Sequence, residues 1–172
     1  HTRYISVTGV QTCALPICSS EKTTELANES MRVSAHINRV TRLSNLALQL
    51  YHWYILNGHS RNKDDEQYIK KYFTEHLPFN LHEVSGFYEK LYLYQSYCWY
   101  AFIRQDFLQY YRYARKWVDL YVEDPKMTEV ETGHYIKGMH NLLNAHFDLR
   151  KDRKSTRLNS SHTDISRMPS SA

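Results

Sequence analysis

The sequence predicts an all-α chain, an array of antiparallel helical hairpins with about five helices. Three observations lead there. Residues 21–57 contain neither Gly nor Pro, and their apolar positions step by three and four. Four further segments carry the same periodicity between helix start and stop signals. Comparable stretches recur about 45 to 47 residues apart, at 47–58, 94–105 and 139–150, as repeated hairpins require.

The first helix, over 21–57, carries Leu26, Ser30, Val33, Ile37, Val40, Ser44, Ala47 and Tyr51 on one stripe. A second stripe, His36, Leu43, Leu46, Leu50 and Trp53, widens its buried face, and Asn57-Gly58 supplies the stop. A break near Ser34 would divide it in two. Asn62 caps a second helix whose first turn holds Asp64, Asp65 and Glu66, the charge that suits a helix N-terminus. Its stripe is Tyr68, Ile69, Tyr72 and Phe73, and Leu77-Pro78 ends it. Asn80 with Glu83 has capping-box spacing for a third helix reaching about Arg104. That helix is apolar on most sides, which makes it central. After a tight Gln105-Asp106 connection, Asp106 caps a fourth helix with Phe107, Tyr110, Ala114, Trp117, Val118 and Tyr121 on its face, closed by Asp124-Pro125. Thr128 with Glu131 reads as a capping box for a fifth, carrying Ile136, Met139, Leu142, Leu143 and Phe147. The β-favouring Tyr residues sit at helical spacing, so periodicity overrides propensity.

The two ends do not fit this pattern. Reverse-complementing a codon for Met168 gives His1, one for Arg167 gives Thr2, and the pairing continues for 17 positions, to Asp152 opposite Ile17. Two segments shaped by folding have no reason to be antisense copies. The strings Val-Thr-Gly-Val-Gln-Thr-Cys-Ala-Leu-Pro-Ile and Asp-Arg-Lys-Ser-Thr-Arg-Leu-Asn-Ser-Ser-His resemble translated sequencing-library adapter. Residues 1–17 and 152–172 are therefore expected to be non-native and disordered, and are excluded from fold reasoning. This leaves 18–151, read as an internal fragment of a larger protein.

The exclusion alters the charge. Of 22 Lys and Arg residues, five lie in the ends, and of 18 Asp and Glu residues, two do, so a net charge of +4 falls to +1. A near-neutral segment argues against nucleic acid and anionic membranes as partners. No apolar run approaches the roughly 18 residues of a membrane-spanning helix. Cys18 and Cys98 alone remain, which is no disulfide framework and fits a reducing, cytoplasmic setting. Aromatic residues are abundant, 23 of the 134 that remain. Tyr92, Tyr94, Tyr97, Trp99, Tyr100, Tyr110, Tyr111 and Tyr113 have Arg104, Arg112, Arg115 and Lys116 nearby, a combination that can stack bases and hold phosphates. Packing between helices is the commoner use of such rings.

The stretch from Met139 to Arg150 resembles the first helix of a tetratricopeptide repeat. Asn141-Leu142 and Asn144-Ala145-His146-Phe147 fall where that motif has its Leu, small residue and aromatic. In the middle unit Cys98 takes the small-residue position and Phe107 the aromatic after the turn, with residues 106–125 as second helix. The resemblance spans about 43–151. It departs from the family in period, about 46 residues against 34, in Leu143 for a Gly or Ala, and in Tyr110 for a small Ala.

The resemblance implies a protein- or peptide-binding scaffold. The family's inner positions correspond to Asn45, Gln49 and His52, then Tyr92, Gln95 and Trp99, then Lys137, Asn141 and Asn144. Amides can satisfy an extended peptide's backbone while Lys supplies charge. It also implies that the helix over 136–150 exposes an apolar face, since a hairpin repeat cannot bury that face alone. The alternative is the helical sensor or regulatory region of a larger signalling or nucleic-acid-binding protein. Glu131-x-x-His134 is half of a di-iron motif whose other half is missing, so no metal is assigned. Without a phosphate-binding Gly loop, Gly-x-Ser-x-Gly or Cys-x-x-Cys, no cofactor or catalytic residue is assigned, and the chain is read as a binding protein rather than an enzyme. Oligomeric state is left open.

Overall fold

Backbone periodicity and capping resolve into helices throughout residues 20–77 and 84–165, the part of the chain described by a computed structural model. They are α1 (Ser20–Asn57), α2 (Lys63–His76), α3 (Phe87–Ile103), α4 (Phe107–Glu123), α5 (Lys126–Val130) and α6 (Thr132–Ile165). The fold is all-α, with no strand among the described residues.

Two starts follow from the sequence signals. Asn62 Oδ1 accepts from Asp65 N at 2.7 Å, and Asp106 Oδ1 accepts from Gln109 N at 3.0 Å, each satisfying an amide at the open end of a helix. α1 runs unbroken past Ser34 and stops at Gly58, whose φ of 75° suits a residue without Cβ. Between α3 and α4, Gln105 takes the same left-handed region (φ 57°) while Asp106 N donates to Ala101 O at 2.9 Å. This closes the helix end without a glycine.

Other expectations need correction. Asn80 and Glu83 lie outside the described residues, and α3 starts later, at Phe87. Glu89 Oε2 does the capping there, accepting from Ser85 N at 3.0 Å and Gly86 N at 3.3 Å. Thr128 does not begin a helix. It sits inside the short α5, and its carbonyl accepts from Thr132 Oγ1 at 2.8 Å across the joint with α6. Glu131 engages side chains rather than an N-cap. Finally, α6 continues past Lys151 to Ile165, so residues 152–165 are helical rather than disordered. No Gly or Pro interrupts the sequence between Gly138 and Pro169, so nothing local stops the helix where the codon relationship begins.

The chain divides into two compact units at residue 39, within α1. In the first, the described residues form the N-terminal half of α1, with Leu26, Val33 and Ile37 on one exposed stripe. In the second, side-chain contacts fix the directions of the helices. Phe87 meets Tyr121 and Phe102 meets Tyr110, so α3 and α4 are antiparallel. Tyr121 meets Tyr135 and Tyr111 meets His146, so α4 and α6 are antiparallel too. Phe73 packs on Tyr97 and Tyr100, and Glu66 reaches Arg104, which sets α2 against α3. Ser96 Oγ donates to Leu43 O at 3.3 Å while Tyr54 meets Phe102, so the second half of α1 runs parallel to α3. Alternate helices are thus parallel, as a row of hairpins demands.

The core has two centres joined by α3. Leu46 and Leu50 of α1, Ile69 and Phe73 of α2, and Ile103 form one. Leu91, Cys98 and Ala101 with Tyr110, Ala114, Trp117, Leu120 and Tyr121 of α4 and Ala145 of α6 form the other. Full burial of a Leu such as Leu50 or Leu91 stabilises the fold by about 1.5–3 kcal/mol. The loop after α1 is held to α3 by Ser60 N and Ser60 Oγ, which donate to Ile103 O at 2.9 and 3.2 Å. Those bonds satisfy a carbonyl at the α3 C-terminus.

Candidate binding flank of α3 and α6

Because α3 buries one side against α4 and another against α1 and α2, a third stripe is left half-buried: Tyr88, Tyr92, Gln95 and Trp99, spaced four, three and four. On α6 the residues flanking the α4 contact are His134, Lys137, Asn141 and Asn144, spaced three, four and three. Tyr88 Oη donates to Glu131 Oε1 at 2.8 Å, and the Tyr92 and His134 rings meet edge-on at 5.9 Å. From α4, Tyr110 Oη donates to Asn141 Oδ1 at 2.8 Å. Of the second and third predicted sets, these contacts place Tyr92 beside His134 at the start of α6 and Asn141 against Tyr110 of α4.

Individual residues differ in what they have left to offer. Gln95 Nε2 is enclosed and has no hydrogen-bond partner among the described residues. Lys137 is exposed. Asn141, expected to meet a ligand, is committed internally: besides accepting from Tyr110, it donates through Nδ2 to Lys137 O at 2.7 Å. Asn144 Nδ2 lies 2.9 Å from His140 Nε2 on the exposed side. Trp99 packs between Tyr51 and Tyr54, with centroids 4.9 and 5.6 Å away. The first set stands apart. Asn45, Gln49 and His52 are exposed. Gln49 and His52 line a separate cleft of about 220 Å³ with Trp53, Tyr68 and Tyr72. Gln49 and His52 thus border a cleft between α1 and α2 rather than the α3 stripe.

Electrostatics at the lower end of the flank centre on Glu131. Its Oε2 lies 3.0 Å from His134 Nδ1, and hydrogen bonds from His134 and then Tyr88 hold its carboxyl below the usual range. Tyr88 is raised in turn, chiefly by the bond to Glu131. A depressed carboxylate contributes stability above its unfolded value of 4.5, and loses it as pH falls through the folded value. Glu131→Gln is expected to flatten the pH dependence of unfolding below pH 4.5, with the two proteins converging once Glu131 is protonated. Urea unfolding across that range checks it.

Elsewhere the ionisable groups are built for packing. Burial pushes Tyr121 and Tyr113 up to about 12 and raises Cys98 further, so these groups stay neutral. A thiol held protonated is no nucleophile. Among the described residues no group of three His, Cys, Asp or Glu could hold a metal ion.

Several of the aromatic residues that would stack bases pack on other rings. Tyr97 and Tyr113 stack at 4.1 Å, and Phe73 and Tyr100 at 4.2 Å. Arg104 pairs with Glu66 at 2.7 Å, Arg115 with Asp119 at 3.0 Å, and Lys116 lies 5.2 Å over the Tyr113 ring. Arg112, Arg115 and Lys116 border a shallow cleft of about 440 Å³ with Tyr111 and Tyr113.

Sequence reasoning passed over two features. Gly138 lies against the Trp117 indole, so that a Cβ there would stand 3.1 Å from Nε1. Glu131 and His134 were singled out by spacing, but their partner Tyr88 lies 43 residues away and left no local signal.

No family model matches the chain, and neither a curated protein nor a solved structure matches it. No helix among the described residues is long and apolar enough to cross a membrane.

Proposed function

We propose that this chain is a tetratricopeptide-like scaffold that binds an extended peptide or protein segment along the α3–α6 flank, in a reducing, cytoplasmic setting. The observation that carries the reading is the half-buried stripe Tyr88, Tyr92 and Gln95 of α3, whose Tyr92 ring meets His134 at the start of α6, one turn before exposed Lys137. The Gln95 side chain carries an amide of the kind that bonds the backbone of an extended peptide. The aromatic rings, stacked on one another, favour this over single-stranded nucleic acid. Cys98, buried as a free thiol, accords with the reducing setting.

The test uses a displayed random-peptide library panned against the full chain. Selected peptides are expected to bind Gln95→Ala/Lys137→Ala at least tenfold more weakly, on the order of 1.4 kcal/mol, with helical circular dichroism retained. Undiminished binding removes the site. Asn141→Ala is a poor probe, because losing the Tyr110 bond lowers stability by about 1–2 kcal/mol.

We also infer that residues 1–17 and 152–172 derive from adapter, on the strength of their antisense relationship. A genomic read with those codons in native context would contradict it.

A further inference from the structure

The middle of α4 gathers positive charge in one place. Arg112, Arg115 and Lys116 line the cleft of about 440 Å³ together with Gln109, Tyr111 and Tyr113, and none of these lining residues is acidic. Arg112 stands three residues before Arg115 and four before Lys116, and all three are exposed. At that spacing on a helix, like charges repel. A carboxylate beside each cation would relieve this, but only one is in place: Asp119 accepts from Arg115 Nε at 3.0 and 3.3 Å. Glu123, the other acidic residue of α4, lies two turns beyond Lys116.

The three side chains differ in how they are held. Lys116 Nζ is drawn over the Tyr113 ring at 5.2 Å and the Tyr94 ring at 5.9 Å, which steadies the ammonium. Arg115 is steadied by Asp119. Arg112 makes no hydrogen bond or ion pair with a described residue, so its planar fork of donors is whole. Setting Asp119 against the three cations leaves two positive charges. A phosphate monoester, with a charge of about −1.5 to −2 at neutral pH, complements them. The cleft runs along about 10.5 Å of helix, from Gln109 to Lys116, and has room for a small organic body beside the phosphate. A nucleic-acid strand fits less well, because it needs free ring faces. Tyr113 is stacked on Tyr97 at 4.1 Å with Lys116 over its ring, and Tyr111 meets His146 at 4.6 Å.

We propose that this α4 cleft binds a small phosphate monoester, with Arg112 as bidentate donor to the phosphate and Arg115 and Lys116 as steadied charges beside it. The site shares no residue with the α3–α6 flank.

Amide NMR of the full chain, titrated with glycerol 3-phosphate in exchange for chloride at constant ionic strength, tests this. Shifts at residues 109–116 should saturate in the millimolar range. Arg112→Gln, on an exposed position, should weaken binding about tenfold with helical circular dichroism retained. Asp119→Asn, which releases Arg115, should tighten it. Shifts that never saturate, or binding that ignores both substitutions, overturn the proposal. So does succinate saturating the same shifts at the same concentration, because the cleft would then take any small dianion. An oligothymidylate that binds more tightly than glycerol 3-phosphate also overturns it, since the cleft would then be reading a strand.

Discussion

Trp117→Ala is expected to destabilise the chain by about 3–5 kcal/mol, measured by urea unfolding. Trp117 is buried in the core shared by α3, α4 and α6. The loss should sit at the upper end of that range, because the residue facing the indole is Gly138, which has no side chain to move into the void. Gly138→Ala sharpens the prediction. In a helix interior Ala is favoured over Gly by about 1 kcal/mol, but here the new methyl would stand 3.1–3.3 Å from a buried ring. The gain should therefore be largely cancelled in the wild-type background and recovered in Trp117→Ala. A double-mutant cycle reads that coupling directly. If Gly138→Ala is equally stabilising in both backgrounds, the close approach of α4 and α6 is wrong.

Glu89→Ala is expected to cost about 2–3 kcal/mol. Its fully buried carboxylate accepts from the amides of Ser85 and Gly86 at the start of α3, where the helix dipole also favours negative charge. Removing it leaves two donors without their acceptor at the entrance to the most central helix. Hydrogen exchange should accelerate first at the α3 N-terminus, and Glu89→Gln, which keeps an acceptor oxygen, should recover part of the loss. Exchange that is unchanged near residues 85–90 would show that α3 is anchored elsewhere.

What the sequence made legible was whatever is decided locally. Asn62 and Asp106 cap the helices they precede because the bond runs to an amide three residues on. Ile69 and Phe73 of α2 and Ala114, Trp117 and Tyr121 of α4 are buried because their periodicity leaves one side to face inward, while Tyr68 of the predicted α2 stripe is exposed. Misreadings arose where a distant partner outcompeted a local one. Thr128 and Glu131 have capping-box spacing, yet Glu131 is taken by Tyr88 and His134. Asn141 looks like a free amide until Tyr110, 31 residues earlier, is placed against it. Gly138 carries no local signal, and only the fold reveals that it admits an indole. Of the candidate site, Tyr92 and Gln95 lie half-buried on α3 and Lys137 is exposed on α6, whereas Trp99 and Asn141 are held by internal partners. Asn45, Gln49 and His52 are exposed on α1.

The central claim is that α3 and α6 present one peptide-binding flank, and amide NMR during titration with a library-selected peptide tests it most directly. The account predicts the largest shifts at Tyr92, Gln95, Lys137 and Asn144, saturating together. Shifts confined to the α1–α2 cleft at Gln49 and His52, or to Arg112, Arg115 and Lys116 on α4, with the α3–α6 flank unmoved, would contradict it.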